Sequence, residues 1–254
     1  MSPRSGVAMV ATWSPSTRLI FEALDARFGV DELIVEPPVT AAERFAYRRR
    51  RLGLAKAIGQ AAFAVLAVPL LRRRAAERLA ELAPAAADAP PPGRAHQVSS
   101  VNAPEAVARL RSLAPRVVVV SGTRIISSEV LDSVPAVFLN VHAGITPAYR
   151  GVHGGYWALA QGDPNHCGAT VHVVDAGVDT GAIAAQAIVS PTARDSFVTY
   201  PLLQLRAALP DLLGAVEDAL AGQLRTRAPA GPSRQWFHPT LLEYLVARVT
   251  KGVR

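Results

Sequence analysis

The sequence predicts an α/β fold, a mostly parallel sheet with helices on both faces, carrying a helical insertion. Three observations point there. Short apolar runs rich in β-branched residues (Val7–Ala11, Leu33–Val35, Val117–Val120) alternate with stretches of helical spacing. Of the 254 residues, 50% are hydrophobic, enough for a substantial core and far from the composition of a disordered chain. One arginine-flanked apolar segment interrupts the alternation, between residues 40 and 93.

Taken in order, Val7–Ala11 reads as a buried strand. Ser14 before Pro15 gives an N-cap and first-turn signal, and Leu19, Ile20, Leu24 and Phe28 supply a helical face. Leu33–Val35 is a second strand, so the chain opens as a βαβ unit. Residues Thr40 to Leu82 form the helical insertion, and Ala83 to Gly93, rich in Pro and Ala, is a linker. Val98–Val101 is a weak strand, and Asn102 caps a helix presenting Val107, Leu110 and Leu113. Val117–Val120 has the continuous β-branched character of a central parallel strand. Ser121 to Ile126 is a loop, followed by a short helix to Ser133. Val137–Leu139 is a strand that delivers Asn140 and His142 at its carboxyl end, where open α/β sheets bind ligands. Gly154–Ala160 is a short helix. Thr170–Val174 and Ala182–Val189 are strands joined by the Asp175–Gly181 loop, Pro201–Leu220 is an amphipathic helix, and a last helix starts at Thr240.

Composition narrows the function. The N-terminus lacks the apolar stretch of a signal peptide, and a single cysteine, Cys167, excludes an intrachain disulfide; the expected setting is cytoplasmic. No Cys/His spacing suits a metal site, so no metal is expected. The net charge of +7 is concentrated in Arg48–Arg51 and Arg72–Arg74 and lacks interleaved aromatics, which argues against nucleic acid as a partner.

Chemistry concentrates in Asn140-Val-His142, then Arg150-Gly151, then Gly177-Val-Asp179-Thr-Gly181. An amide can hydrogen-bond a developing oxyanion, an imidazole can move a proton, and a carboxylate can orient the imidazole. That trio suits transfer of an acyl group between nitrogens. By itself, an Asp between glycines is more often a turn former than a catalyst.

Asn140-Val-His-Ala-Gly-Ile-Thr-Pro-Ala-Tyr-Arg-Gly151, with Val178-Asp-Thr-Gly181 at the matching distance, resembles the signature of the folate-dependent formyltransferases, the group of glycinamide ribonucleotide transformylase and methionyl-tRNA formyltransferase. The resemblance is strong over residues 115–190. It implies a Rossmann-like domain, 10-formyltetrahydrofolate as formyl donor and a primary amine as acceptor. It also implies catalytic roles for Asn140, His142 and Asp179. Arg124, Ile125 and Ile126 resemble the loop whose backbone binds the pterin, and Gly177 and Val178 complete the donor set. Arg150, His153 and Ser14 are the candidates on the acceptor side. On this reading residues 1–39 and 94–192 make up the formyltransferase domain, 40–93 the insertion and linker, and 193–254 a C-terminal helical extension.

Departures from the family pattern narrow the acceptor. Ala11–Ser16 lacks the glycines of a phosphate loop, which disfavours purine synthesis, and few residues follow Pro191, which disfavours a tRNA acceptor. An amino sugar, nucleotide- or lipid-linked, or another small amine is expected. Trp236, Phe237 and Tyr244 are either a stacking wall for it or helix-packing aromatics. The rivals are a hydrolase of the same folate and a non-catalytic folate-binding subunit. Leu52–Leu71 is long enough to span a bilayer, but a span would divide one sheet between two compartments. Two readings of the insertion remain. It packs on the body or on a twin subunit, as in a homodimer, or residues 48–74 lie peripherally on an anionic membrane, at its inner face.

Overall fold

A computed structural model describes residues 5–83, 89–91 and 93–254. Seven strands form one sheet: β1 (Val7–Thr12), β2 (Glu32–Glu36), β3 (Ala95–Gln97), β4 (Val117–Ser121), β5 (Val137–His142), β7 (Gly168–Val173) and β8 (Ile183–Ile188), in the order β3-β2-β1-β4-β5-β7-β8. Pairing is parallel from β3 to β5, and antiparallel for β5–β7 and β7–β8. Between β5 and β7 lies β6 (Arg150–Gly151), which pairs with β9 (Gln235–Trp236) in a separate two-stranded ribbon.

The alternation of side chains along each strand divides the core in two. Val7, Met9, Val117 and Val119 meet α1 (Pro15–Phe28) and α9 (Tyr200–Ala221) through Ile20, Leu24, Leu205 and Leu212. Val10, Val118 and Val120 face the other way, toward Val107 and Leu110 of α6 (Pro104–Leu113) and Val130 of α7 (Ser128–Leu131). Every residue of β4 is buried, because helices cover both faces of a parallel sheet.

Two local expectations need correction. The strand after the linker is Ala95–Gln97, and residues 98–101 are irregular. Only the Val98 N–H continues the ladder, to Val35 O; the Ser99 and Val101 N–H groups go instead to the Glu105 and Glu36 carboxylates. Asn102 does not cap α6, whose N-cap is Ala103. Its amide donates to Ile125 O and accepts from Ser127 N, tying down the loop beyond β4.

The insertion comprises α2 (Ala41–Leu52), α3 (Leu54–Ala62), a π-helical turn (Phe63–Ala67), α4 (Val68–Arg74) and α5 (Ala76–Leu82). Thr40 and Glu43 form a capping box on α2, and Gly53, at φ 89°, ends it. The inner face of Leu54–Arg74, the long helix that α3, the π-helical turn and α4 make together, packs on α10 (Leu241–Lys251), which in turn packs on α8 (Gly154–Ala160): Phe63 touches Phe197 and Tyr244, and the Gln60 amide donates to His238 O at 2.7 Å.

Gly59 sets the approach of the two helices, since a Cβ there would lie 2.9 Å from the Thr240 Cβ and Cγ2 atoms. Gly59→Val gains at most about 0.5–1 kcal/mol from leaving glycine's backbone freedom behind, whereas overpacking costs about 1–3 kcal/mol. A net fall in melting temperature of a few degrees is expected by calorimetry, about 2–4 °C per kcal/mol at this chain length.

Candidate active site

The parallel strands end at one edge of the sheet, and the site is built there. Asn140 and His142 are one pleat apart on β5 and therefore point to the same side. The antiparallel register of β7 sets His172 opposite Asn140 and Thr170 opposite His142. The loop after β7 then returns Asp179, at φ 51°, to the same place.

The result is a compact polar cluster. Asp179 Oδ2 lies 3.4 Å from His142 Nδ1, and Asp179 Oδ1 lies 3.5 Å from His172 Nε2. Asn140 Nδ2 is 3.2 Å from His172 Nε2, and the Gly151 N–H donates to Asp179 Oδ2 at 2.9 Å. His142 and His172 are buried, while Asn140 and Asp179 are only partly buried and so open to an incoming group.

The partners settle much of the proton inventory. His142 Nε2 is 2.7 Å from Tyr149 O, and a carbonyl only accepts, so Nε2 carries a hydrogen. The exchangeable position is then Nδ1, facing Asp179. The same argument puts a hydrogen on His172 Nδ1, 2.9 Å from Val173 O, and leaves Nε2 toward Asn140 and Asp179. Burial would push the Asp179 carboxyl up, but His142, His172 and the Gly151 N–H together outweigh it and bring it down to about 2. Its folded value lies below the ordinary 3.8, so the stabilisation by its charge is present above 3.8 and lost as pH falls through 2. At neutral pH it is an anion between two imidazoles.

Bracing explains why the loops hold. Gly144 passes so near the imidazole that a Cβ would sit 2.5 Å from His142 Nε2 and 2.3 Å from Tyr149 O. Thr170 Oγ1 donates to Gly144 O and accepts from Thr146 N; the Gln186 amide donates to Thr146 O. Asp175 accepts from Gly177 N and Thr180 Oγ1, closing the turn that carries Asp179.

The other candidates are spread around this cluster. Arg124 is bound to Glu36, a carboxylate with no side-chain exposure: its guanidinium at 3.0 Å, its N–H at 2.6 Å. Ile125 is exposed and Ile126 buried; among the described residues, nothing in the chain hydrogen-bonds the Ile126 N–H and C=O. Val178 O accepts from Arg150 Nη1 at 2.7 Å, and Arg150 Nε donates to Ser233, so this arginine joins the Asp179 loop to the C-terminal extension. Ser14 is the N-cap of α1, accepting from Thr17 N. His153 starts α8 and is enclosed by Phe197 and His238, with ring centroids at 4.1 and 4.6 Å. Trp236 is buried, stacked on Trp157 at 4.7 Å and donating to Ala148 O, and Tyr244 packs on Phe63. These two aromatics are packing residues and form no stacking wall. Cys167 is buried, and burial pushes its thiol up to about 11, out of reach as a nucleophile.

His172 and Glu36 are the site residues that sequence reasoning missed. Alternation with Val171 and Val173 gives His172 the pattern of a packed or solvent-facing residue; it is buried, and packed against Asn140 and Asp179.

The His153–His238 pair makes stability pH-dependent. Burial, with the charges of Arg48 and Arg44, lowers His238 from 6.5 to about 4; burial, His238 and Arg48 lower His153 well below 6.5. Folded values below unfolded ones mean that stability is full above 6.5 and declines as pH falls toward 4. Thermal melts across that window are expected to show the decline, and His238→Phe to flatten it.

Comparison with known proteins agrees with this architecture. The profile of the formyl transferase family matches residues 61–201. A methionyl-tRNA formyltransferase of Synechococcus sp. is 44% identical over 141 residues, 54% of this chain and 42% of that one. That of Desulfotalea psychrophila is 32% identical over 133 residues, 52% and 41% of the two chains. The chain thus spans less than half the length of these relatives. Among solved structures, a sugar N-formyltransferase from Shewanella sp superposes with a TM-score of 0.56 at 15% identity, covering 91% of this chain and 75% of that chain. Glycinamide ribonucleotide transformylase 1 from Symbiobacterium toebii gives 0.56 at 21% identity, covering 87% and 93%. At such identities these two establish the shared fold.

Proposed function

The chain belongs to the formyl transferase family, and we propose that it transfers a formyl group from 10-formyltetrahydrofolate to a primary amine. The observation that carries the proposal is the convergence of Asn140, His142 and Asp179, from two distant segments, within hydrogen-bonding reach of one another through His172.

The donor, when bound, supplies a formyl carbon already activated on nitrogen. Asn140, a partly buried amide, donates a hydrogen bond to the formyl oxygen as charge grows on it. As the acceptor amine's nitrogen bonds to the formyl carbon and that carbon's bond to the donor nitrogen breaks, His142 Nδ1 takes the proton the amine loses and passes it to the departing nitrogen, while Asp179 holds that ring and stabilises its cationic form. The loop beyond β4 fits the donor's flat heterocycle. Glu36 fixes Arg124, Asn102 fixes Ile125 and Ser127, and the Ile126 backbone keeps its polar groups free to read the ring edge. Gly177 and Val178 would meet the donor through backbone groups other than the Gly177 N–H and Val178 O, which Asp175 and Arg150 occupy. We assign Ser14 and Arg150 to the acceptor side, with His153 acting there only through its packing on Phe197.

For the acceptor we favour a small amine, an amino sugar in particular. Ala11–Ser16 lacks a glycine-rich phosphate loop, and three solved structures of this fold carry sugar N-formyltransferase or 4-N formyltransferase names. A second reading, methionyl-tRNA, is favoured by the names of the sequence relatives. The test is incubation with formyl-folate and either amino-sugar nucleotides, methionyl-tRNA or no amine, followed by mass spectrometry. One formyl increment on an amino sugar supports the favoured acceptor; formylated methionyl-tRNA supports the second. Formate without amine identifies a hydrolase, and no turnover anywhere leaves a non-catalytic folate-binding subunit.

A further inference from the structure

The long insertion helix, Leu54–Arg74, is long and apolar enough to cross a membrane, yet only 17% of its apolar window is buried in the molecule. Its inner face is accounted for by Ala57, Gln60, Phe63 and Leu71. Its outer face presents Leu54, Ile58, Val65, Leu66 and Leu70, each more than half exposed. The neighbouring α10 repeats the pattern. Tyr244 and Ala247 are buried, while Leu242, Leu245, Val246 and Val249 lie outside at helical spacing, Val249 at 84% exposure. Nine of the thirteen large hydrophobic residues that the described residues expose are on these two packed helices. Scattered singly they would need no explanation, but gathered on adjacent helices they form an interaction surface.

The border of that surface is basic. Arg49, Arg50 and Arg51 end α2 just before the long helix, and Arg72, Arg73 and Arg74 end α4. All six are exposed, and among the described residues none is in an ion pair. Lys56, Arg248 and Lys251 add exposed cations on the same two helices. A second copy of this face would bring equal clusters of unpaired arginine together. An anionic bilayer surface instead takes the apolar ridge into its acyl boundary and pairs the border with its headgroups.

We propose that the outer faces of Leu54–Arg74 and α10 together seat the protein peripherally on an anionic membrane, without spanning it. Spanning is excluded by the sheet, in which β1 and β2, before the insertion, pair with β3 and β4 after it. The proposal does not depend on the catalytic reading. A protein held this way would meet its acceptor at the membrane surface.

Flotation of the full chain with phosphatidylcholine vesicles, with and without phosphatidylglycerol, tests it and reads no turnover. Binding to the anionic vesicles is expected to exceed binding to the neutral ones by about tenfold or more and to weaken with salt. Leu66→Asp and Val249→Asp, both at exposed positions, and the triple Arg72→Gln, Arg73→Gln, Arg74→Gln variant are each expected to lower it by about tenfold, with unchanged thermal melts. Absence of binding to anionic vesicles overturns the proposal, as does binding that both aspartate variants leave intact. A dimer that Leu66→Asp dissociates, in a chain that ignores vesicles, would assign the face to a second copy. Formyl transfer that persists without vesicle binding sinks this proposal alone.

Discussion

Asn140→Ala is expected to lower turnover by about a hundredfold or more, the consequence of losing about 2.7–4 kcal/mol of oxyanion stabilisation. The side chain is only partly buried and its hydrogen bond within the chain is to His172 Nε2, so alanine leaves no large cavity and the melting temperature should change little. His142 needs a more careful substitution. The ring is buried and donates to Tyr149 O, so alanine would leave a buried carbonyl unsatisfied, at about 1–3 kcal/mol of stability. His142→Gln can keep that donation while removing the ring nitrogen that faces Asp179. A comparable fall in single-turnover rate is expected, in a chain that still melts cooperatively. Near-wild-type rates in both variants would take the pair out of the chemistry.

Legibility in the sequence followed the range of the interactions. Val117–Val120 announced a central strand because burial on both faces demands uninterrupted β-branched residues. Asn140 and His142 were readable because a strand end and a motif coincide at them. His172 could be placed only by knowing that β7 runs antiparallel to β5 with Asn140 opposite it, a register that local pattern does not encode. Glu36 looks like a polar residue closing β2, yet its partners Val101 and Arg124 lie 65 and 88 residues further on. Asn102 carried a capping signal, but its amide was claimed by the loop at Ile125 and Ser127. Trp236 reads equally as part of a stacking wall or as a packing aromatic until the β6–β9 ribbon buries it against Trp157 and Tyr149. In the insertion, the apolar run correctly signalled a long helix; which of its faces would remain uncovered depended on where α10 docks.

Asp179→Asn separates charge from shape at the centre of the site. Asparagine can still accept from the Gly151 N–H through its remaining oxygen, so the loop held by Asp175 and Arg150 should keep its path. What disappears is the anion 3.4 Å from His142 Nδ1 and 3.5 Å from His172 Nε2. Without it the cationic form of His142, needed to deliver a proton, loses its counter-charge. Turnover is expected to fall by about a hundredfold to ten-thousandfold, the range associated with general acid–base catalysis. Two readouts separate this from a merely structural effect. Because the wild-type carboxyl is held down to about 2, its charge is constant above 3.8, and the wild-type rate profile should show no limb from Asp179 in that range. Combined with His142→Gln, the variant should lose little further rate, because both substitutions disable the same proton transfer. An unchanged rate would mean that Asp179 is a turn residue and nothing more.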